Sequence, residues 1–435
     1  MLVIFFTSAL FLVLFSSFQA FWPIVCYFLF IVFLLSNNSF FNSALSLAQA
    51  TTIIDPTSLF IVFLLFLVMY ISYIRALDFG SYKTISFVFL FLSLFCYQVF
   101  TTSHLFLLYF FYEASLVPIL YIIIKWGSYP ERSIRAMIML VYTLLFGAPV
   151  LMLVMYFNTV SGTWLFPVYS FSSESLLFRV LIFLCFSVKL PIYGLHFWLP
   201  MAHVEAPTFG SVILASLLLK LGGVGLLRLA ELIAISSISI RILSYFIVFI
   251  IFRRLVCCYQ SDMKRLIAYS SVAHMIVIPF LILSNNLLSV QALILVILLH
   301  GLRSSLLFIT VGILYSMFSS RQLVLIRGLL LVSPLFSFII ILTFLFSLSA
   351  PPMPSYVAEV FFILSSYVLS PYMIYVVLVF AFLGLLYNLN WLSSVLFSTG
   401  LSIIYRQSTL KFNLFLPLLV TFRAVFPFSC LFYIL

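Results

Sequence analysis

The sequence predicts an all-α, polytopic membrane protein of about fourteen transmembrane helices, built as two inverted five-helix repeats that each hold one discontinuous helix. Three observations carry this expectation. Hydrophobic residues make up 66% of the 435 and charged residues only 7%, at a mean hydropathy of +1.34, well outside the range of soluble domains. Apolar runs of about 17–25 residues recur along nearly the whole chain, whereas a membrane barrel would show segments of about ten residues alternating apolar and polar. Two of the runs are interrupted by proline, one at Pro191 and one at Pro351, Pro352 and Pro354.

Taken in order, the hydrophobic runs place spans near 2–17, 21–35, 58–75, 85–100, 104–126, 134–157, 175–200, 208–230, 242–258, 266–283, 287–317, 329–369, 372–392 and 412–434. The opening MLVIFFTSALFLVLF has no basic n-region and no Arg-rich amphipathic helix, so it reads as the first span rather than a signal or transit peptide. Residues 36–58 and 157–174 are the longest polar connections and read as surface loops. Residues 287–317 would form a helix of roughly 45 Å and are kept as one tilted span. Residues 329–369 contain APPMP and are kept as one span broken in the middle, because two spans would put Arg406 and Lys411 on the wrong side of the membrane. This divides the chain into N-terminal helices and a loop (1–84), a first repeat broken at Pro191 (85–230), a second, inverted repeat broken at Pro351–Pro354 (231–392) and a C-terminal helix region (393–435).

Basic residues support the parity of this parsing. Connections after odd-numbered spans hold Arg75, Lys83, Lys125, Arg132, Arg135, Arg253, Arg254, Lys264, Arg265, Arg321, Arg327, Arg406 and Lys411. Those after even-numbered spans hold only Arg179, Arg228 and Arg241. Both termini are therefore expected on the electropositive side, opposite the basic loops. The net charge of +11 is explained by topology and excludes a nucleic-acid reading. Six cysteines (Cys26, Cys96, Cys185, Cys257, Cys258 and Cys430) show no metal-ligand spacing and read as small core residues.

Charge inside spans is the chemical signal. Lys189 stands two residues before Pro191, and Lys220 lies among Leu217, Leu218, Leu219 and Leu221. A lysine at the centre of a membrane helix costs about 2.5–3.5 kcal/mol on insertion scales, so it faces a protein interior or a water path. Glu113 lies mid-span in LLYFFYEASLVPILYIIIKWG, five residues before Pro118. A salt bridge that locks two helices is its plainer role, and ion or proton handling the sharper one. In the second repeat the polar residues are His274, His300 and Glu359, with Arg303 three residues beyond His300 on the same face. Each histidine is either an interhelical donor or a member of a proton chain in the membrane plane. His196, His203 and Glu205 invite a zinc reading, but a proline stands between the histidines and the helical spacing of a zinc protease is missing, so loop closure is the plainer role. With no phosphate loop, dinucleotide fingerprint, haem motif or CxxC cluster, the chain itself is expected to hold no cofactor and no metal.

KLPIYGLHFWLPMAHVEAPTFGSVILASLLLKLGG, FYEASLVPILYIIIKWG with PER after it, DMKRLIAYSSVAHM and HGLRSSLLF resemble the antiporter-like membrane subunits of the proton-pumping NADH:ubiquinone oxidoreductase, respiratory complex I. The matching motifs run from about residue 104 to 360. The resemblance implies fourteen helices in two inverted repeats, with Glu113 paired to Lys189, Lys220 as the central lysine, His274 and His300 on a polar axis, and Glu359 as the acid on the second broken helix. An acid at 359 sorts the chain with the subunit-4 branch, since subunits 2 and 5 usually carry lysine there. Met201 stands where lysine is common, Arg303 where a small or hydroxyl residue is usual, and the glycine usual before the acid is missing. The implied function is relay or pumping of protons, coupled to electron transfer in other subunits that hold NADH, FMN, iron–sulfur clusters and ubiquinone. Expected partners are other membrane-arm subunits, including antiporter-like subunits 2 and 5, and membrane lipids. The expected location is the mitochondrial inner membrane, with a bacterial inner membrane as alternative. A stand-alone monovalent cation/proton antiporter and a structural spacer of the arm are the rival functions.

Overall fold

A computed structural model describes residues 56–76, 79–80, 82–161, 176–190, 192, 194–229, 239–284, 286–351, 353–369 and 371–397. The expected spans near 2–17, 21–35 and 412–434 lie outside these residues, as do Pro191, Pro352, Cys26 and Cys430. The described residues are helical apart from short connections and one isolated bridge between Asp262 and Gln322. In chain order the helices are α1 (Pro56–Ala76), α2 (Tyr82–Thr101), α3 (Leu105–Ala114), α4 (Leu116–Trp126), α5 (Arg132–Ser161), α6 (Leu176–Lys189), α7 (Trp198–Glu205), α8 (Thr208–Ile213) and α9 (Leu219–Arg228). They continue as α10 (Ser239–Cys258), α11 (Met263–Met275), α12 (Val277–Ser284), α13 (Leu287–Phe318), α14 (Leu329–Val332), α15 (Pro334–Ser347), α16 (Pro354–Leu369) and α17 (Met373–Leu396).

Among the described residues, seven helical stretches are long and apolar enough to cross a membrane. Two form the centre: 94% of the Thr208–Arg228 and Leu288–Phe318 spans is buried inside the bundle, against 28% for Arg132–Tyr156 and Met373–Leu396. The long α13 stays one helix and packs on α16, α11, α12, α8 and α1. On α5 and α17 the exposed side chains include Val141, Leu144, Leu145, Met152, Phe382, Leu385 and Leu389, an apolar surface suited to lipid or to a neighbouring membrane chain. One continuous apolar cluster joins α1 to α17.

Two spans expected to be continuous run through as Leu105–Trp126 and Met263–Ser284, with the helical ladder interrupted at a single residue in each, at Ser115, three residues before Pro118, and at Ile276, three residues before Pro279. A proline removes one backbone donor and its ring displaces the carbonyl four residues earlier, which opens the helix at those points. The two expected discontinuities are also present. α6 stops at Lys189 and helix resumes at Trp198; α15 stops at Ser347 and helix resumes at Pro354.

Arg75, Arg253, Arg254 and Lys264, expected in connections, are all buried. Arg253 and Arg254 lie one turn inside the end of α10, and Lys264 is the second residue of α11, where the Asp262 side chain accepts from its backbone N–H at 2.9 Å. The asymmetry survives without them: Lys83, Lys125, Arg132, Arg135, Arg265, Arg321 and Arg327 lie at helix ends or in connections on one side of the parsing, against Arg179, Arg228 and Arg241 on the other, while Arg406 and Lys411 lie outside the described residues.

Candidate functional site

The end of α6 places Lys189 as the last helical residue, at an end where unpaired carbonyls favour a cation. Trp198 Nε1 donates to the Val188 carbonyl at 3.0 Å, satisfying one of those carbonyls. Tyr112 holds the lysine from two directions: Lys189 Nζ donates to the Tyr112 carbonyl and sits 3.3 Å from the centre of its ring. Glu113 is near enough for its charge to act on Lys189, but the expected pair is not an ion pair in contact. Both Glu113 carboxylate oxygens are buried and accept no hydrogen bond. Room for them comes from Gly147 on α5, where an added Cβ would lie 2.7 Å from Glu113 Oε1 and 3.1 Å from the Tyr109 hydroxyl. Helix packing thus gives Glu113 space but no donor.

The central lysine is held by a feature the hydrophobic pattern does not reveal. Between α8 and α9 the chain forms a π-helical turn, Leu214–Leu218. Such turns release a carbonyl from the regular ladder and recur at functional sites. Here Lys220 Nζ donates to the Ala215 carbonyl at 2.7 Å and meets His300 Nδ1 at 2.7 Å. Lys220 is fully buried. The His300 and His274 ring centres are 6.2 Å apart, so α9, α13 and α11 bring three sequence-predicted residues into one row.

Beyond His274 the row meets Arg254. Its Nη2 lies 3.3 Å from His274 Nε2, its Nη1 donates to the Phe380 carbonyl at 2.6 Å, and its guanidinium stacks on the Phe380 ring at 3.4 Å. Arg254 also lines a cavity of about 310 Å³ with Ser347, Glu359, Gly384 and Asn388. Glu359 accepts from Ser349 Oγ at 2.7 Å, and Arg303 faces Glu359 and the Tyr387 hydroxyl. Glu359 therefore ends the row but is not joined to His274 directly. Sequence reasoning missed Arg254, and the signal was available: the doubled arginine falls inside span 242–258, not after it.

His196, His203 and Glu205 go to three separate places. His196 meets Nη2 of Arg253; His203 is stacked on Phe308 at 4.8 Å; Glu205 accepts from Arg135 Nε at 3.2 Å. Around Glu205, Lys264 Nζ donates to the Ala206 carbonyl at 2.7 Å and Arg321 Nη2 to Ser128 Oγ at 3.2 Å, tying four connections at one end of the bundle.

Residues 102–385 match the family described as NADH:quinone oxidoreductase/Mrp antiporter, transmembrane. The chain belongs to this family. Relatives within it include "NADH-ubiquinone oxidoreductase chain 4" of Lumbricus terrestris, 38% identical over 276 residues that make up 61% of each chain. The chain therefore spans less than two thirds of that relative. The protein of the same description from Chondrus crispus is 35% identical over 79% of this chain and 72% of its own, and that from Albinaria caerulea 33% over 80% and 81%. Among solved structures, a chain of respiratory complex I from Thermus thermophilus aligns with a TM-score of 0.83 at 20% identity, covering 96% of this chain and 92% of that one. A chain of the Mrp complex from Dietzia sp. aligns at 0.77 and 17%, covering 92% and 79%. These two likenesses concern the fold.

Proposed function

We propose that this chain is a subunit-4-type membrane subunit of respiratory complex I and relays protons along Glu113, Lys189, Lys220, His300, His274 and Glu359. The observation that carries the relay is the 2.7 Å contact of Lys220 Nζ with His300 Nδ1 inside the most buried part of the bundle. An amine and an imidazole at that distance exchange a proton without moving the backbone, and neither is stable in lipid unless protein surrounds it. The fourteen-helix, two-repeat architecture belongs to the same proposal. Its support is internal: Glu113 precedes Pro118 by five residues and His274 precedes Pro279 by five, each ladder is interrupted three residues before its proline, and in each case one long continuous helix (α5 or α13) separates this span from the discontinuous one.

The redox chemistry, with NADH, FMN, iron–sulfur clusters and ubiquinone, falls to other subunits, and the chain itself carries a proton path with no resident cofactor. Its partners are other membrane-arm subunits, antiporter-like subunits 2 and 5 among them, together with lipids of the mitochondrial inner membrane. A native gel of solubilised membranes stained in the gel for NADH dehydrogenase, followed by peptide identification, tests the assignment. This chain is expected in the stained band. Migration alone would favour the stand-alone antiporter, to which the Mrp part of the family description also points.

A further inference from the structure

Two consecutive arginines on α10 each meet a histidine from a different half of the bundle. Neighbouring residues on a helix point about 100° apart, so they reach different neighbours. Arg253 Nη2 reaches His196 in the α6–α7 break; Arg254 Nη2 reaches His274 at the end of α11. All four side chains are buried. A guanidinium has donors and no acceptor, so the imidazole nitrogen it meets must offer a lone pair. For His274 this fixes the neutral tautomer, with the lone pair on Nε2 and the proton on Nδ1.

Three features hold the Arg254 guanidinium in place. It donates to the Phe380 carbonyl, it stacks on the Phe380 ring, and it is seated against Gly384. An added Cβ at 384 would lie 2.6 Å from the guanidinium carbon and 3.3 Å from Nη2, so only glycine leaves this seat open. The charged and titratable groups around the contact are His300 and Arg303 on α13 and Glu359 on α16, with the Tyr387 hydroxyl on α17.

We propose that Arg254, seated by Gly384, is a positioning residue that clamps His274 as a neutral imidazole with Nε2 occupied. The proposal rests on the relay reading above and deepens it. A proton reaching His274 at Nε2 must displace the guanidinium, because one lone pair does not serve two N–H groups. The guanidinium then turns into the cavity it shares with Glu359. Proton arrival at His274 and charge pairing at Glu359 thereby become one event.

The test uses the assembled complex reconstituted in vesicles, with assembly checked by native gel, proton uptake per NADH oxidised as one readout, and histidine tautomer bands in infrared spectra of isotope-labelled protein as the other. Gly384→Ala keeps the arginine and moves its guanidinium, whereas Arg254→Gln removes the charge and keeps a donor. Both are expected to abolish the single-tautomer signal assigned to His274 and to lower proton uptake per NADH. Arg254→Lys is expected to restore uptake in part and the tautomer signal not at all, since an ammonium does not span Phe380 and His274 together. Lys220→Met serves as the control for the underlying reading. Loss of uptake in Lys220→Met with unchanged tautomer signal and uptake in assembled Gly384→Ala and Arg254→Gln overturns the clamp alone. Unchanged uptake in Lys220→Met overturns the relay and the clamp's part in it.

Discussion

The N-terminal and C-terminal halves of the described bundle carry their buried charge in opposite ways. In the first, the carboxylate of Glu113 has no donor and its lysine is held by a carbonyl and an aromatic ring, not by an ion pair. In the second, Glu359 has a donor in Ser349 and stands near two guanidinium groups, Arg254 and Arg303. Arginine stays protonated in proteins, whereas a buried lysine or glutamate changes state readily. The N-terminal half thus sets beside its acid a lysine whose charge can change, and the C-terminal half adds arginines whose charge is fixed. In the proposed relay Glu113, Lys189 and Lys220 carry the proton in the first half and His300, His274 and Glu359 in the second, where the two arginines set the potential they meet.

Substitution of the two carboxylates is the strongest way to break this contrast. Glu113→Gln is expected to reduce vesicle proton uptake by about a hundredfold, the lower range for loss of a positioned acid–base group. Glu359→Gln is expected to cost about tenfold, in the range of a residue that modulates coupling. Equal losses would mean that the fixed charges of the second half do not set its role. A double-mutant cycle sharpens the point. In an Arg303→Ser background, Glu359→Gln is expected to cost less than it does alone, by a coupling of about 1 kcal/mol in uptake, because the cation that the lost acid compensated is already gone. Gly147→Ala works on the first half from the side. It pushes a methyl to 2.7 Å from Glu113 Oε1 and is expected to lower the thermal stability of the complex by about 1–3 kcal/mol, with a smaller loss of uptake than Glu113→Gln.

How much of this was legible in the sequence depended on range. Hydrophobic runs and prolines act locally, so the spans and both discontinuities could be read from them, as could the row of Lys220, His300 and His274. Side-chain partners act across the bundle. Nothing near Glu113 in the chain says that Gly147 opposite would leave it without a donor, and nothing near Lys220 announces a π-helical turn. The sequence places Pro118 five residues beyond Glu113 and Pro279 five beyond His274, but spacing alone does not tell how either proline changes the ladder before it. Arg253, Arg254 and Lys264 were misassigned because charge census treats a basic residue near a span end as a loop residue, whereas these side chains turn inward to His196, His274 and the Ala206 carbonyl.

The smallest expected effect isolates a single residue at the second break. Ser349 has φ of +54°, in the left-handed region, and its hydroxyl donates to Glu359. A non-glycine residue in that conformation costs about 1–2 kcal/mol, and a hydrogen bond to a charged group contributes about 1.5–3 kcal/mol. Ser349→Ala keeps the backbone cost and loses the bond, so it is expected to destabilise the solubilised complex. Ser349→Gly loses the same bond and relieves the backbone, so its thermal midpoint should lie above that of Ser349→Ala by the equivalent of about 1 kcal/mol. Proton uptake should fall equally in the two, since each leaves Glu359 without its hydroxyl donor and brings it closer to the condition of Glu113. If the glycine variant instead pumps like the parent, the Ser349 hydroxyl is holding the break and not the acid, and the contrast between the halves rests on the arginines alone.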